Sequence, residues 1–216
     1  MLNADYGLGD KNMGFVDDTP MELFLISLVA IVSIYMSAWV YIEFRKNGAK
    51  NVNEILKPGA LPLGILGAII VLMGLWGEMV WPLPGAYNIL FDDPFMFLGI
   101  IVLMMAGTIA LKQKLQYVGI LAFFAGIISI WYGANAYVDK LTSSPIAMFG
   151  LFLAFGLTGV FTFPTTLIYD ILPGKTKVSN VWTVVLVLFW IGLVVSAVVA
   201  ALIGLEAIPA HLVSPP

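Results

Sequence analysis

The chain has 216 residues, 61% of them hydrophobic and 11% charged, with a mean hydropathy of +1.00 and a formal net charge of −3. A soluble domain is usually about 45–50% apolar and about 25% charged, so this chain carries more apolar surface than a water-soluble core of its length can bury. That excludes a cytosolic enzyme and a disordered tail, and ten Lys+Arg with a single arginine, Arg45, give no basic stripe for nucleic acid. With no cysteine and one histidine, His211, the chain by itself cannot build a disulfide frame, an Fe–S cluster, a thiolate metal site or a bis-His haem.

A bilayer core about 30 Å thick takes roughly 20 helical residues at about 1.5 Å each. Residues 1–20 come first and carry Asp5, Asp10, Asp17 and Asp18 against Lys11. That is the wrong charge for a signal-peptide n-region, so an extracytoplasmic acidic tail is expected. Six apolar runs follow, at residues 21–44, 61–81, 95–111, 115–137, 145–168 and 181–205. The first is too long for a typical signal h-region and should remain as a span. Helices satisfy their own backbone in lipid, and no alternating strand pattern competes with them. The expected fold is all-α: a polytopic membrane protein built as one six-helix transmembrane bundle, ending in a second extracytoplasmic tail at 206–216.

Charge sets the expected threading. Arg45, Lys46, Lys50 and Lys57 follow run one, Lys112 and Lys114 follow run three, and Lys175 and Lys177 follow run five. Only Lys11 and Lys140 fall on the other side, and most of the acids lie with them. Positive loops stay cytoplasmic, so both termini are expected outside, in the cell membrane. The aromatic residues fit this, with Trp76, Trp81, Trp131, Tyr132 and Tyr137 at the outer interface and Trp39, Tyr41 and Trp182 at the inner one.

Runs two and four share a pattern. Gly64-Ile65-Leu66 then Trp76 matches Gly119-Ile120-Leu121 then Trp131 at a constant offset of 55. Asp92-Asp93-Pro94 and Ser143-Ser144-Pro145 both look like an N-cap followed by proline at the first helical position. The pattern suggests a parallel two-helix hairpin repeat.

Small residues mark close helix contacts in lipid. Run four has Gly119, Gly126 and Gly133, and run two has Gly67 and Gly74. In run six Gly192, Ser196, Ala200 and Gly204 form a stripe, a candidate packing interface within the bundle or against another subunit.

Ionisable groups are scarce at depth, which argues against a proton- or sodium-coupled carrier. Glu78 is the one carboxylate inside a run clear of its first two and last two residues. The loop from Trp81 to Pro94 is rich in proline yet apolar at Leu83, Ile89, Leu90 and Phe91, so it should fold back onto the bundle. Glu78, Asn88, Asp92 and Asp93 would then meet in an outer polar cluster. Carboxylates with an amide oxygen suit a hard cation. The same residues equally suit a structural role, with Asp92 or Asp93 capping run three and Glu78 bonding the loop. Met96, Met104 and Met105 are apolar filler rather than a Cu(I) site, since no His or Cys helps them. No catalytic residue, metal-ligand set or cofactor is assigned.

The stretch Gly74-Leu75-Trp76, Trp81-Pro82-Leu83-Pro84, Tyr87-Asn88-Ile89-Leu90-Phe91 and Asp93-Pro94 resembles the signature of a prokaryotic, mainly archaeal, membrane family, domain of unknown function 981. The resemblance implies a multi-helix integral membrane protein and no activity. The expected role is a non-catalytic accessory or structural subunit of a larger membrane complex, of respiratory oxidase or membrane monooxygenase type, partnered by lipid and other membrane subunits. The alternatives are a transporter or channel for a small neutral or lipophilic solute, with a midplane cavity lined by Ser129, Thr158 and Thr162, and a membrane enzyme using Glu78 and Asp92.

Overall fold

A computed structural model describes residues 17–48, 51–175 and 177–213. Most of the 1–20 tail, with Asp5, Asp10 and Lys11, lies outside the described residues, as do Lys50 and residues 214–216. The described chain forms α1 (Thr19–Asn47), α2 (Val52–Val80), α3 (Ala86–Ala110), α4 (Gln116–Val138), α5 (Pro145–Ile171), a 3₁₀ turn at Leu172–Gly174, and α6 (Asn180–Val213). Among the described residues there is no strand. All six α-helices are long and apolar enough to cross a membrane, and the protein is a multi-pass membrane protein. Lengths of 23 to 34 residues correspond to about 35–51 Å, more than the roughly 30 Å of hydrocarbon, so the helix ends project past it.

Consecutive helices pack against each other, and α6 returns to α1, so the six form a closed ring. Two hairpins, α2–α3 and α4–α5, are the tightest pairs, while α3 meets α4 more loosely. Glycine explains the tightness. A Cβ on Gly67 would stand 2.7 Å from the Leu103 nitrogen, and one on Gly99 would stand 2.8 Å from the Val71 nitrogen. In the second hairpin Gly126 faces Gly156, Gly159 and Val160, backbone to backbone. Contacts this close let dispersion hold helices together where lipid offers no hydrophobic drive.

The helices overrun the predicted spans, and two boundaries need correction. Run two was expected from residue 61, but α2 begins at Val52 and carries Pro58 and Pro62 within it. Run three was expected to be capped by Asp92 or Asp93 just before Pro94, whereas α3 starts at Ala86, with Gly85 before it at φ 57°. The physical reason lies in the apolar residues 89–91. Leu90 is buried with Ala136 and Phe152, and Phe91 packs beside them, so this segment joins the bundle as helix. Pro94 is therefore an interior residue of α3 while Pro145 opens α5, and the two prolines are not equivalent positions in the hairpins. At the other end, residues 206–213 continue α6 rather than forming a tail.

Cross-links at the Lys- and Arg-rich end of the bundle, the basic end, are specific. Both Asp170 carboxylate oxygens on α5 accept from the start of α4, at 3.0 Å from the Leu115 N–H and 2.9 Å from the Gln116 N–H. Tyr169 donates to the Ser37 carbonyl at 2.7 Å, and the Trp190 indole donates to the Ser37 hydroxyl at 3.0 Å, joining α1, α5 and α6. Lys112 and Glu54 form an exposed ion pair.

Candidate functional site

The opposite, acidic end is organised by Asn88. Its side chain is wholly buried, donating to the Gly77 carbonyl and accepting from the Leu83 N–H, each at 3.2 Å. It thereby pins the Trp81–Gly85 turn back onto α2. Trp81 closes α2 in the left-handed region at φ 56°, a conformation that disfavours a non-glycine residue by roughly 1–2 kcal/mol. The Tyr87 hydroxyl donates to the Leu141 carbonyl, tying this turn to the loop between α4 and α5.

Successive helical residues point about 100° apart, so Asp92 and Asp93 leave α3 in different directions. Asp93 accepts from the Tyr132 hydroxyl on α4 and lies against Glu78 on α2. One Glu78 oxygen is buried without a hydrogen-bond partner. Asp92 turns the other way, over the bare backbone of Gly77, toward the first turn of α1. There it meets Asp18 and Glu22, and the ligand atoms of the three carboxylates all lie within 4.8 Å of one another. Burial pushes the Asp18 carboxyl above its ordinary value; a hydrogen bond from its own backbone opposes this, and the charge of Asp17 adds to it.

Between the helices lies a cavity of about 200 Å³ to which every helix contributes. Aliphatic and aromatic side chains dominate its wall, among them Leu98, Phe91, Phe152 and Phe155. The polar exceptions are Ser33, Ser129, Thr158, Thr162 and Ser196, with Glu22 toward the acidic end. Thr158 donates to the Ala154 carbonyl and Thr162 to the Thr158 carbonyl, both at 2.8 Å. Thr158 also meets Ser196 at 3.2 Å across α5 and α6. Thr158 and Thr162 have spent their protons on backbone but retain acceptor lone pairs. The site is thus a mostly apolar chamber with a ring of weak acceptors and one carboxylate at its mouth.

Of the four residues expected to converge, Glu78 and Asp93 come together, Asn88 serves the turn, and Asp92 faces α1. Asp18 and Glu22 were not singled out from the sequence. The signal was present, since a spacing of four places both on one helical face. The α6 stripe points into the bundle: Ala200 is wholly buried, Ser196 reaches Thr158, a Cβ on Gly192 would press on Thr158, and one on Gly204 would meet Phe24 at 3.1 Å. The methionines do not form a set, because Met96 packs on Gly74 while Met104 is exposed. Trp76, Trp81, Trp131 and Tyr137 are exposed toward the acidic end, whereas Tyr132 turns inward to Asp93.

Residues 13–214 match the model of the family described as Protein of unknown function (DUF981), and the chain belongs to that family. No curated protein and no solved structure matches the chain.

Proposed function

We propose, from the cavity, that this member of the DUF981 family binds and carries a small, mainly apolar solute within the membrane. The observation that carries the reading is the cavity of about 200 Å³, lined by all six helices, into which Ser129, Thr158 and Thr162 face. An apolar cavity of about 150 Å³ takes up benzene, so this one suits a molecule of one ring or a short branched chain. The hydroxyls favour a solute with one donor group, and Glu22 favours that donor at the acidic end. Closely packed hairpins beside a looser α3–α4 contact provide rigid halves that can move relative to each other.

The test uses the whole chain in mild detergent, with cyclohexanol and cyclohexylamine as probes. Saturable thermal stabilisation is expected, and Ser129→Phe should abolish it while retaining the helical circular-dichroism spectrum. Proteoliposome flux of the same probes then separates a carrier from a static binder. A wild-type chain that responds to neither probe, or a filled variant that responds equally, would overturn the reading.

The same proposal sets the acidic end outside the cell membrane, because basic loops are retained in the cytoplasm. Terminal tags reachable in intact cells are the expected result. The role expected from the sequence, an accessory or structural subunit of a larger complex, draws in part on the α6 stripe. That stripe is spent on α1 and α5, so a partner subunit would have to dock on another face.

A further inference from the structure

We propose that Asp18, Glu22 and Asp92 bind one hard divalent cation of the calcium class, clamping α1 to α3 at the acidic end. Glu22 also borders the chamber, but the proposal rests on the three carboxylates and its test reads metal binding rather than solute binding. Asp92 is 0% exposed and Glu22 3% exposed, and both point into the same small space. Both oxygens of Asp92 and one of Glu22 are buried without a hydrogen-bond partner in place, and those of Asp18 have nothing beyond its own backbone. Among the described residues the single ion pair is Lys112–Glu54 at the other end, so no described lysine or arginine neutralises the group.

Burying a carboxylate without a partner is strongly unfavourable, and three together add mutual repulsion. Two things relieve this, protons or a metal. A proton shared between Glu22 and Asp92 would settle one pair and leave the Asp18 carboxylate with only its own backbone N–H. A cation satisfies all three. The donor set is oxygen alone, with no imidazole or thiolate, which selects a hard ion. Three carboxylates around one ion exceed the one or two that magnesium usually takes, which favours the calcium class. The charge left over from three carboxylates and one divalent ion is offset by the N-terminal end of α1, where Asp18 is the cap and Glu22 lies in the first turn.

Full-length protein in mild detergent is stripped with chelator and titrated with Ca²⁺, Mg²⁺ and Mn²⁺ by calorimetry and by thermal unfolding. One Ca²⁺ per chain and a higher unfolding temperature are expected. Asp92→Asn should weaken binding by more than the 10–100-fold that loss of an outer-shell partner typically causes. Glu22→Gln provides a second variant should Asp92→Asn fail to fold, and Asp93→Asn, on the Tyr132 side, should bind normally. A wild-type chain without saturable divalent binding, or an Asp93→Asn loss equal to the others, would overturn the site.

Discussion

Replacing Gly126 with alanine probes the contact that holds the second hairpin together. The new methyl group would stand 2.8 Å from the Val160 nitrogen and 3.1 Å from the Gly159 carbonyl carbon, and closer still to the Gly156 carbonyl oxygen. All three atoms are backbone, so no side chain can swing aside. Restoring ordinary contact moves α4 and α5 apart by about 1 Å along their closest approach, and overpacking of this kind costs about 1–3 kcal/mol. Alanine returns up to about 1 kcal/mol through its better helix propensity. Gly150 on α5 is the control, because a Cβ there meets nothing within 4 Å, so Gly150→Ala keeps the propensity gain alone. The propensity gain cancels between the two variants, which should differ by about 1–3 kcal/mol, roughly 5–150-fold in the unfolding equilibrium. Titration with sodium dodecyl sulfate in mixed micelles, followed by circular dichroism, measures this. If the two variants unfold at the same detergent fraction, glycine contacts do not set the stability of the hairpin.

Asn88→Ala removes two buried hydrogen bonds and leaves the Leu83 N–H without an acceptor, so a loss of about 1–3 kcal/mol and faster protease cutting after Trp81 are expected. Asp170→Ala strips the bidentate acceptor from the start of α4 and should lower stability by about 1–2 kcal/mol, read from the same titration. Lys112→Ala should change stability by less than about 0.5 kcal/mol, because its ion pair with Glu54 is solvent-exposed. The Asp18 carboxyl is held above its ordinary value of 3.8 by burial, so its contribution is fully present below that value and lost as pH rises through the raised one. In chelator the chain should unfold at a lower temperature at pH 8 than at pH 5, with a smaller difference in Asp18→Asn. Added Ca²⁺ should restore more stability at pH 8, since protons compete for the same oxygens. Equal unfolding temperatures at both pH values would contradict the assignment.

The number and order of the helices were legible because lipid leaves the backbone one economical choice, and 20-residue apolar runs record it directly. Helix ends were not, because residues such as Asn88 and Asp92 read as loop by polarity although they are buried in α3. Polarity signals solvent only when no buried partner exists, and the partner of Asn88 is a carbonyl on a different helix. The hydroxyls at Ser129, Thr158 and Thr162 could be marked as a possible cavity wall, but not the extent of the cavity, which depends on how six helices close. The carboxylate cluster escaped because Asp92 lies 70 or more residues along the chain from Asp18 and Glu22.

The seam of the ring joins the first helix to the last, where Leu23 packs with Ala200 and Ile203. During biosynthesis the earlier five helices can form only an open crescent, with the future chamber facing lipid until the sixth arrives. Insertion of that final segment is thus the step that seals the interior, and a ribosome stalled before it would leave a gutter rather than a chamber. The same adjacency places the start of α1 beside α6, so a permuted version, cut at residues 139–144 and linked from α6 to α1, should still assemble.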